Sequence, residues 1–152
     1  MTYSYGFALL LIMTTSIKDR SVLIPYRVRP DGQFEVYLQQ RDDMGPFPDQ
    51  IGFFGGGIEE GETPEQAIVR ETQEELCFAL PDGLAPIKVT NVPGYEFNVF
   101  MLPVGNTFET SVKVMEGRGG MFLSEQEISA HTNIISHDQK ILLELIDQLP
   151  RQ

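Results

Sequence analysis

The chain has 152 residues and carries 22 Asp and Glu against 11 Lys and Arg, a formal net charge of −11. With 41% hydrophobic and 22% charged residues it has the composition of one globular domain, long enough to bury a core and too short for two full domains. The acid excess argues against a general nucleic-acid backbone binder and against docking on anionic membrane, and a single cysteine, Cys77, excludes an intrachain disulfide framework.

Phe7–Met13 is an apolar run of seven residues, too short to span a bilayer, with no Lys or Arg before it and no small-residue cleavage pattern after it. We expect a cytoplasmic protein, with residues 1–20 an N-terminal extension or added strand and 21–152 a single domain. Val22, Ile24, Tyr26 and Val28 alternate as in a strand, which Pro25 should confine to an edge or a bulge. Pro30-Asp31-Gly32 is a turn signal, and Phe34, Val36 and Leu38 alternate up to Arg41, so the two runs predict a hairpin. Residues 42–50 form a loop rich in Gly and Pro, and Ile51–Phe54 reads as a short strand ending in Gly55-Gly56-Gly57.

A helix over about 64–77 follows, with Thr63 as N-cap, Pro64 at the first helical position and Gln66 completing a capping box. Val69, Thr72 and Leu76 form its expected buried stripe. Lys88–Val92 and Tyr95–Val104 read as strands, residues 106–120 as a long loop or hairpin region, and Met121–Leu123 as a short strand. Ser124 with Glu127 predicts a second capping box and a short helix. Ser136 with Gln139 predicts a third, opening a helix over about 137–148 with Ile141, Leu142, Leu145 and Ile146 on its apolar face. The pattern describes an α/β domain with helices on both faces of a mixed sheet.

Charge is concentrated in one place. Seven acids and one arginine lie between Glu59 and Glu75, so this stretch carries −6 of the −11. Glu71, Glu74 and Glu75 fall within one helical turn, which places their carboxylates over a single arc. A solvated helix face is the ordinary explanation of such a triplet. A cluster of hard anionic oxygens also suits Mg²⁺ or Mn²⁺, completed by substrate phosphates.

The segment Gly55–Phe78 as a whole is far more specific. It resembles the box of the Nudix hydrolase family: Gly, five residues, Glu, seven residues, then Arg-Glu-U-x-Glu-Glu-x-Gly-U, where U is bulky and aliphatic. The fixed positions fall on Gly56, Glu62, Arg70, Glu71, Glu74 and Glu75. Thr72 replaces an aliphatic residue, and its hydroxyl should bond a backbone carbonyl one turn back. Cys77 replaces Gly at the helix end, where positive φ is easiest for Gly.

The resemblance implies an α/β/α sandwich and Mg²⁺-dependent (or Mn²⁺-dependent) hydrolysis of a phosphoanhydride bond in a nucleoside diphosphate linked to another moiety. It implies Glu71, Glu74 and Glu75 as metal ligands, with Glu71 similar to the residue often proposed as general base. Arg70 looks like an orienting partner of a box carboxylate, Gly55 like the residue whose carbonyl binds metal, and Glu62 like a loop buttress. Glu116, in a Glu-Gly segment before the last short strand, resembles a further metal ligand. A non-catalytic binding or regulatory module of the same fold is the alternative; it should lack box glutamates, and all are present. The expected partner is a small nucleotide-type molecule. A homodimer is plausible by resemblance, with Phe7–Met13 available to an interface.

Outside the box, Arg41, Arg27 and Tyr95 are candidates to bind substrate, Arg41 by a bidentate phosphate contact and Tyr95 by stacking on a base. Phe97 and Phe100 read mainly as core. His131 and His137 stand isolated in the sequence and read as surface or capping residues.

Overall fold

The computed structural model describes residues 16–150. The Phe7–Met13 run and its possible roles lie outside these residues. Among the described residues seven strands form one mixed sheet: β1 (Lys18–Val28), β2 (Phe34–Gln40), β3 (Ile51–Gly52), β4 (Phe54–Gly57), β5 (Ile87–Val89), β6 (Tyr95–Pro103) and β7 (Gly119–Ser124). Among the described residues there are four helices: α1 (Pro64–Leu76), α2 (Phe108–Ser111), α3 (Glu125–Ala130) and α4 (Ser136–Ile146).

The alternation in β1 explains the layers. Val22 and Ile24 point into a core shared with Phe97, Val99 and the Ile141, Leu142, Leu145 and Ile146 face of α4. Leu23, between them, points the other way, into a core with Phe54, Phe100 and the Ile68 and Leu76 side of α1. Period-2 strands between two helical layers give the expected sandwich. β1 and β6 are parallel, and the other ladders are antiparallel.

The sheet forks at Pro25. β1 pairs with β4 over Arg20–Leu23 and with β2 over Tyr26–Val28, while β2 runs on to pair with β3 and β7. Pro25 therefore lies in an interior strand and not at an edge. It falls between the two antiparallel ladders on that side of an interior strand, a position where a missing N–H is tolerated. The fork opens beside β3 and β4 and positions the site described below.

Several expected elements change in detail. Ile51–Gly57 is two short strands interrupted at Phe53, and the three glycines belong to β4. Val69 is exposed; Ala67 and Ile68 join Thr72 and Leu76 in the buried stripe of α1. The Thr72 hydroxyl is buried and bonds no carbonyl. The Thr63–Gln66 and Ser124–Glu127 capping boxes form. The Ser136 box does not: Ile135 is the N-cap of α4, and Gln139 instead donates to the carbonyls of Ile128 and His131, tying α4 to α3. A short helix, α2, occupies part of the expected 106–120 loop. Among the described residues no helix is long and apolar enough to cross a membrane.

Candidate active site

The helix α1 and the strand β4 hold the carboxylates. Arg70 is the organiser. Its Nε and Nη2 grip both oxygens of Glu62, at 2.8 and 2.9 Å, and Nη2 also donates to the Gly57 carbonyl at 3.1 Å. This bidentate pair folds the 58–63 loop back onto α1. It holds the Glu62 carboxyl at about 2, well below the usual range, chiefly through the Arg70 hydrogen bonds. Glu62 also accepts from the Glu59 N–H at 2.9 Å, so the buttress expected of Glu62 is seen directly. Arg70 Nη1 reaches Glu71 at 3.0 Å and Glu74 at 3.5 Å.

The three helix glutamates are not equivalent. Glu74 is exposed, Glu71 is mostly buried and Glu75 is buried. Glu75 accepts from the Gly55 N–H at 2.8 Å. Burial pushes its carboxyl up to about 9; the negative charges of Glu116 and Glu71 add to the shift against the lowering effect of the Gly55 N–H. Burial also raises Glu71, against the pull of Arg70.

Glycine makes this approach possible. A Cβ on Gly56 would occupy the position of the Glu71 carboxylate, and one on Gly55, which has φ +127°, would meet the Ser21 carbonyl.

Glu116 arrives from a different part of the chain, and the backbone places it. The Lys113 and Met115 N–H groups donate to the last carbonyls of α1, at Leu76 and Glu75, and Arg118 N–H donates to the Gln40 carbonyl. Gln39, buried in β2, donates its side-chain amide to the Glu116 carbonyl at 3.1 Å. The structure thus joins Glu71, Glu75 and Glu116 with Gly55 beside them, and leaves Glu74 on the outer rim with Arg70.

Among the described residues no three acidic, histidine or cysteine side chains close around a single point. The donor chemistry nevertheless fits a divalent cation. Carboxylates brought together and desolvated repel one another and hold on to protons, and a hard cation relieves both effects.

Two depressions meet at Arg41. One is lined by Gln39, Arg41, Pro46 and Glu116. The other is a slot of about 80 Å³ on the α4 face, bounded by Arg41, Phe47, Tyr95, Phe97, His137 and Gly55. Arg41 and Tyr95 are therefore both in the cleft.

Arg27 is not among the residues lining either depression. It pairs with Glu35 at 3.0 Å and Glu109 at 3.5 Å and lies over the Phe122 ring at 3.7 Å, so it braces the hairpin. Phe97 and Phe100 are core, as expected.

His137, expected as a surface or capping residue, packs between Tyr95, Phe97 and Phe47. Lys18, Arg20 and Phe47 also line the slot, and sequence reasoning missed them. The available signal was the Lys18–Arg20–Val22 alternation, which puts two cations on the face of β1 that carries core residues further along.

The family model described as NUDIX domain matches residues 18–112. The chain is 38% identical over 60 residues to the nucleoside triphosphatase NudI of Escherichia coli, a match that spans 40% of this chain and 41% of that relative. Among solved structures it is similar to the NUDIX domain of Shewanella oneidensis NrtR, crystallised with ADP ribose, at TM-score 0.64 and 16% identity, covering 97% of this chain and 98% of that one. It is similar also to the Nudix hydrolase RenU of M. smegmatis, at TM-score 0.65 and 18% identity, covering 89% of each. At these identities the two structures bear on the fold, which they share. With the family match over residues 18–112 and the box geometry above, the chain belongs to the NUDIX domain family.

Proposed function

We propose that this protein hydrolyses a phosphoanhydride bond in a nucleotide-type small molecule with the help of Mg²⁺ or Mn²⁺. The observation that carries the reading is the Glu71–Glu75–Glu116 cluster, assembled from two distant chain segments beside Gly55 and opening onto a cleft edged by Arg41. The 38% identity to a nucleoside triphosphatase over the matched stretch favours nucleoside triphosphates as the first substrates to try.

Glu71, Glu75 and Glu116, with Glu74 at the rim and the Gly55 carbonyl, would hold the cation. When bound, it supplies charge neutralisation at the diphosphate and a water of lowered pKa. The remaining steps belong to the chain. Arg70 fixes Glu71 Oε1 at 3.0 Å and leaves Oε2 to take a proton from the attacking water. Glu62 holds Arg70 in place for that task. Arg41 stands where it can meet a phosphate oxygen in the cleft.

The test is a phosphate-release screen over nucleoside triphosphates, nucleotide sugars, ADP-ribose and dinucleoside polyphosphates, run with Mg²⁺ and with Mn²⁺. Glu71→Gln and Glu75→Gln should each lower kcat at least about a hundredfold, within the range that acid–base groups contribute, with circular dichroism unchanged. Activity within a few-fold of wild type in either variant overturns the role given to that residue.

A further inference from the structure

We propose that Gln39 is a positioning residue for the metal site, whose buried amide fixes the Glu116–Gly117 peptide and thereby aims the Glu116 carboxylate at the α1 glutamates. This role rests on the metal reading above, and Gln39 acts through Glu116, not on the cation itself.

Glu116 sits on exposed chain between two anchors. Upstream, the Lys113 and Met115 N–H groups donate to the Leu76 and Glu75 carbonyls at 3.0 and 2.8 Å. Downstream, the Arg118 N–H donates to the Gln40 carbonyl at 2.8 Å. The joint between the anchors is the Glu116–Gly117 peptide. Gly117 has φ +77°, and glycine adopts either sign of φ with little cost. The anchors on either side therefore do not by themselves set the plane of this peptide. Play in that plane passes to the Glu116 Cα and so to its carboxylate.

Gln39 supplies the missing constraint. Its Nε2 donates to the Glu116 carbonyl at 3.1 Å. Its own backbone is held on both sides, by Gly52 of β3 and by Gly120 of β7. The residue is 3% exposed and lies two positions from Tyr37, on the face of β2 that carries the α1-side core. A primary amide is costly to bury unless it is hydrogen-bonded. An apolar side chain would fill this position without that cost, so the amide has a polar task, and the task on view is the Glu116 carbonyl. Glycine at 117 lets the two approach, because a Cβ there would meet the Gln39 amide and the Gln40 carbonyl. The Arg118–Asp49 ion pair also touches this loop, but both side chains are at least half exposed, and the pair holds the arginine rather than the Glu116 peptide.

The experiment measures Mn²⁺ affinity of the full chain without nucleotide, from the electron paramagnetic resonance signal of the free ion, so the readout does not depend on turnover. Gln39→Met keeps an unbranched side chain of similar length and removes the donor. It should raise the Mn²⁺ Kd about tenfold, as expected of a group that orients a metal ligand. Glu116→Gln should raise it by at least as much. Adding Gln39→Met to Glu116→Gln should change it by no more than about twofold further, because the first acts through the second. Gly117→Ala disturbs the same peptide from the exposed side, leaves the buried strand alone, and should also raise the Kd about tenfold.

A Gln39→Met protein that melts earlier in EDTA yet binds Mn²⁺ within about twofold of wild type makes Gln39 structural only and overturns the role. So do effects of Gln39→Met and Glu116→Gln that simply multiply, and so does a Glu116→Gln protein with unchanged affinity. If Gln39→Met does not fold, Gly117→Ala decides: a tenfold loss supports the role and unchanged affinity overturns it. Each of these overturning results leaves the hydrolase reading standing on the remaining carboxylates. Wild type that binds no Mn²⁺ overturns the metal-dependent reading and the role of Gln39 with it.

Discussion

Thr72 places a hydroxyl on the buried side of α1, between Ile68 and Leu76, where the oxygen has no hydrogen-bond partner. A buried hydroxyl left unmatched costs about 1–3 kcal/mol in lost hydration. Valine has nearly the same branched shape at Cβ and no polar atom to satisfy. Thr72→Val should therefore stabilise the protein by about 1 kcal/mol, read as a higher urea midpoint with an unchanged slope. A variant no more stable than wild type would mean that the hydroxyl is satisfied after all. The Arg70–Glu62 pair shows the opposite use of a polar contact at the same scale. Both partners are matched in a fork geometry, and Glu71 inherits its orientation from them.

The helix α1 is the element on which the site depends, and its ends were legible at one terminus and surprising at the other. Thr63, Pro64 and Gln66 act locally, so the sequence pattern and the structure agree there. At the C-terminus Cys77 occupies the left-handed region at φ 50°, with its N–H donating to the Gln73 carbonyl. The backbone shape that glycine favours is kept without glycine. Left-handed geometry costs an ordinary residue about 1–2 kcal/mol. Glycine avoids that cost but loses about 0.4–1 kcal/mol through a freer unfolded chain. Cys77→Gly should thus give a net gain of about 0.5 kcal/mol in thermal or urea unfolding, and a loss would show that the thiol packs usefully. The failures in reading share a physical cause. Gln139 matched a capping box but found better acceptors on α3, and Pro25 marked a fork that only the pairing of β2 and β4 creates. The family resemblance singled out Gly55, Glu71 and Glu75, and the fold sets Gly55 against Glu75. The slot was hidden because Arg20, Phe47, Tyr95 and His137 come from four separate stretches, and no local pattern links them.

Over the whole molecule, the acid excess is a stability problem that the proposed metal would relieve. Without metal, Glu75 has its folded pKa raised to about 9 from an ordinary 4.5, with burial the first cause. A raised folded pKa contributes stability that is fully present below the unfolded value and is lost as pH climbs through the folded one. The metal-free protein should therefore melt at progressively lower temperature as pH rises from about 5 to about 9, since Glu75 must then either ionise in a buried site or be exposed. Glu62 acts in the other direction, because its pKa is lowered to about 2, but its contribution is complete once pH exceeds the ordinary value of 4.5 and so leaves this window untouched. Cation binding requires the deprotonated carboxylate and should release protons. Stabilisation by a fixed, saturating Mg²⁺ concentration should accordingly grow with pH, small near pH 6 and large near pH 9, in paired melting curves with Mg²⁺ and with EDTA. Glu75→Gln removes the group with the larger shift and should make the EDTA curve shallower over this range, leaving the slope that Glu71, also raised by burial, contributes. A metal-free melting temperature that is level from pH 5 to 9 in wild type, or a Mg²⁺ effect equal at both ends, would overturn the placement of Glu75 at the centre of the acidic cluster.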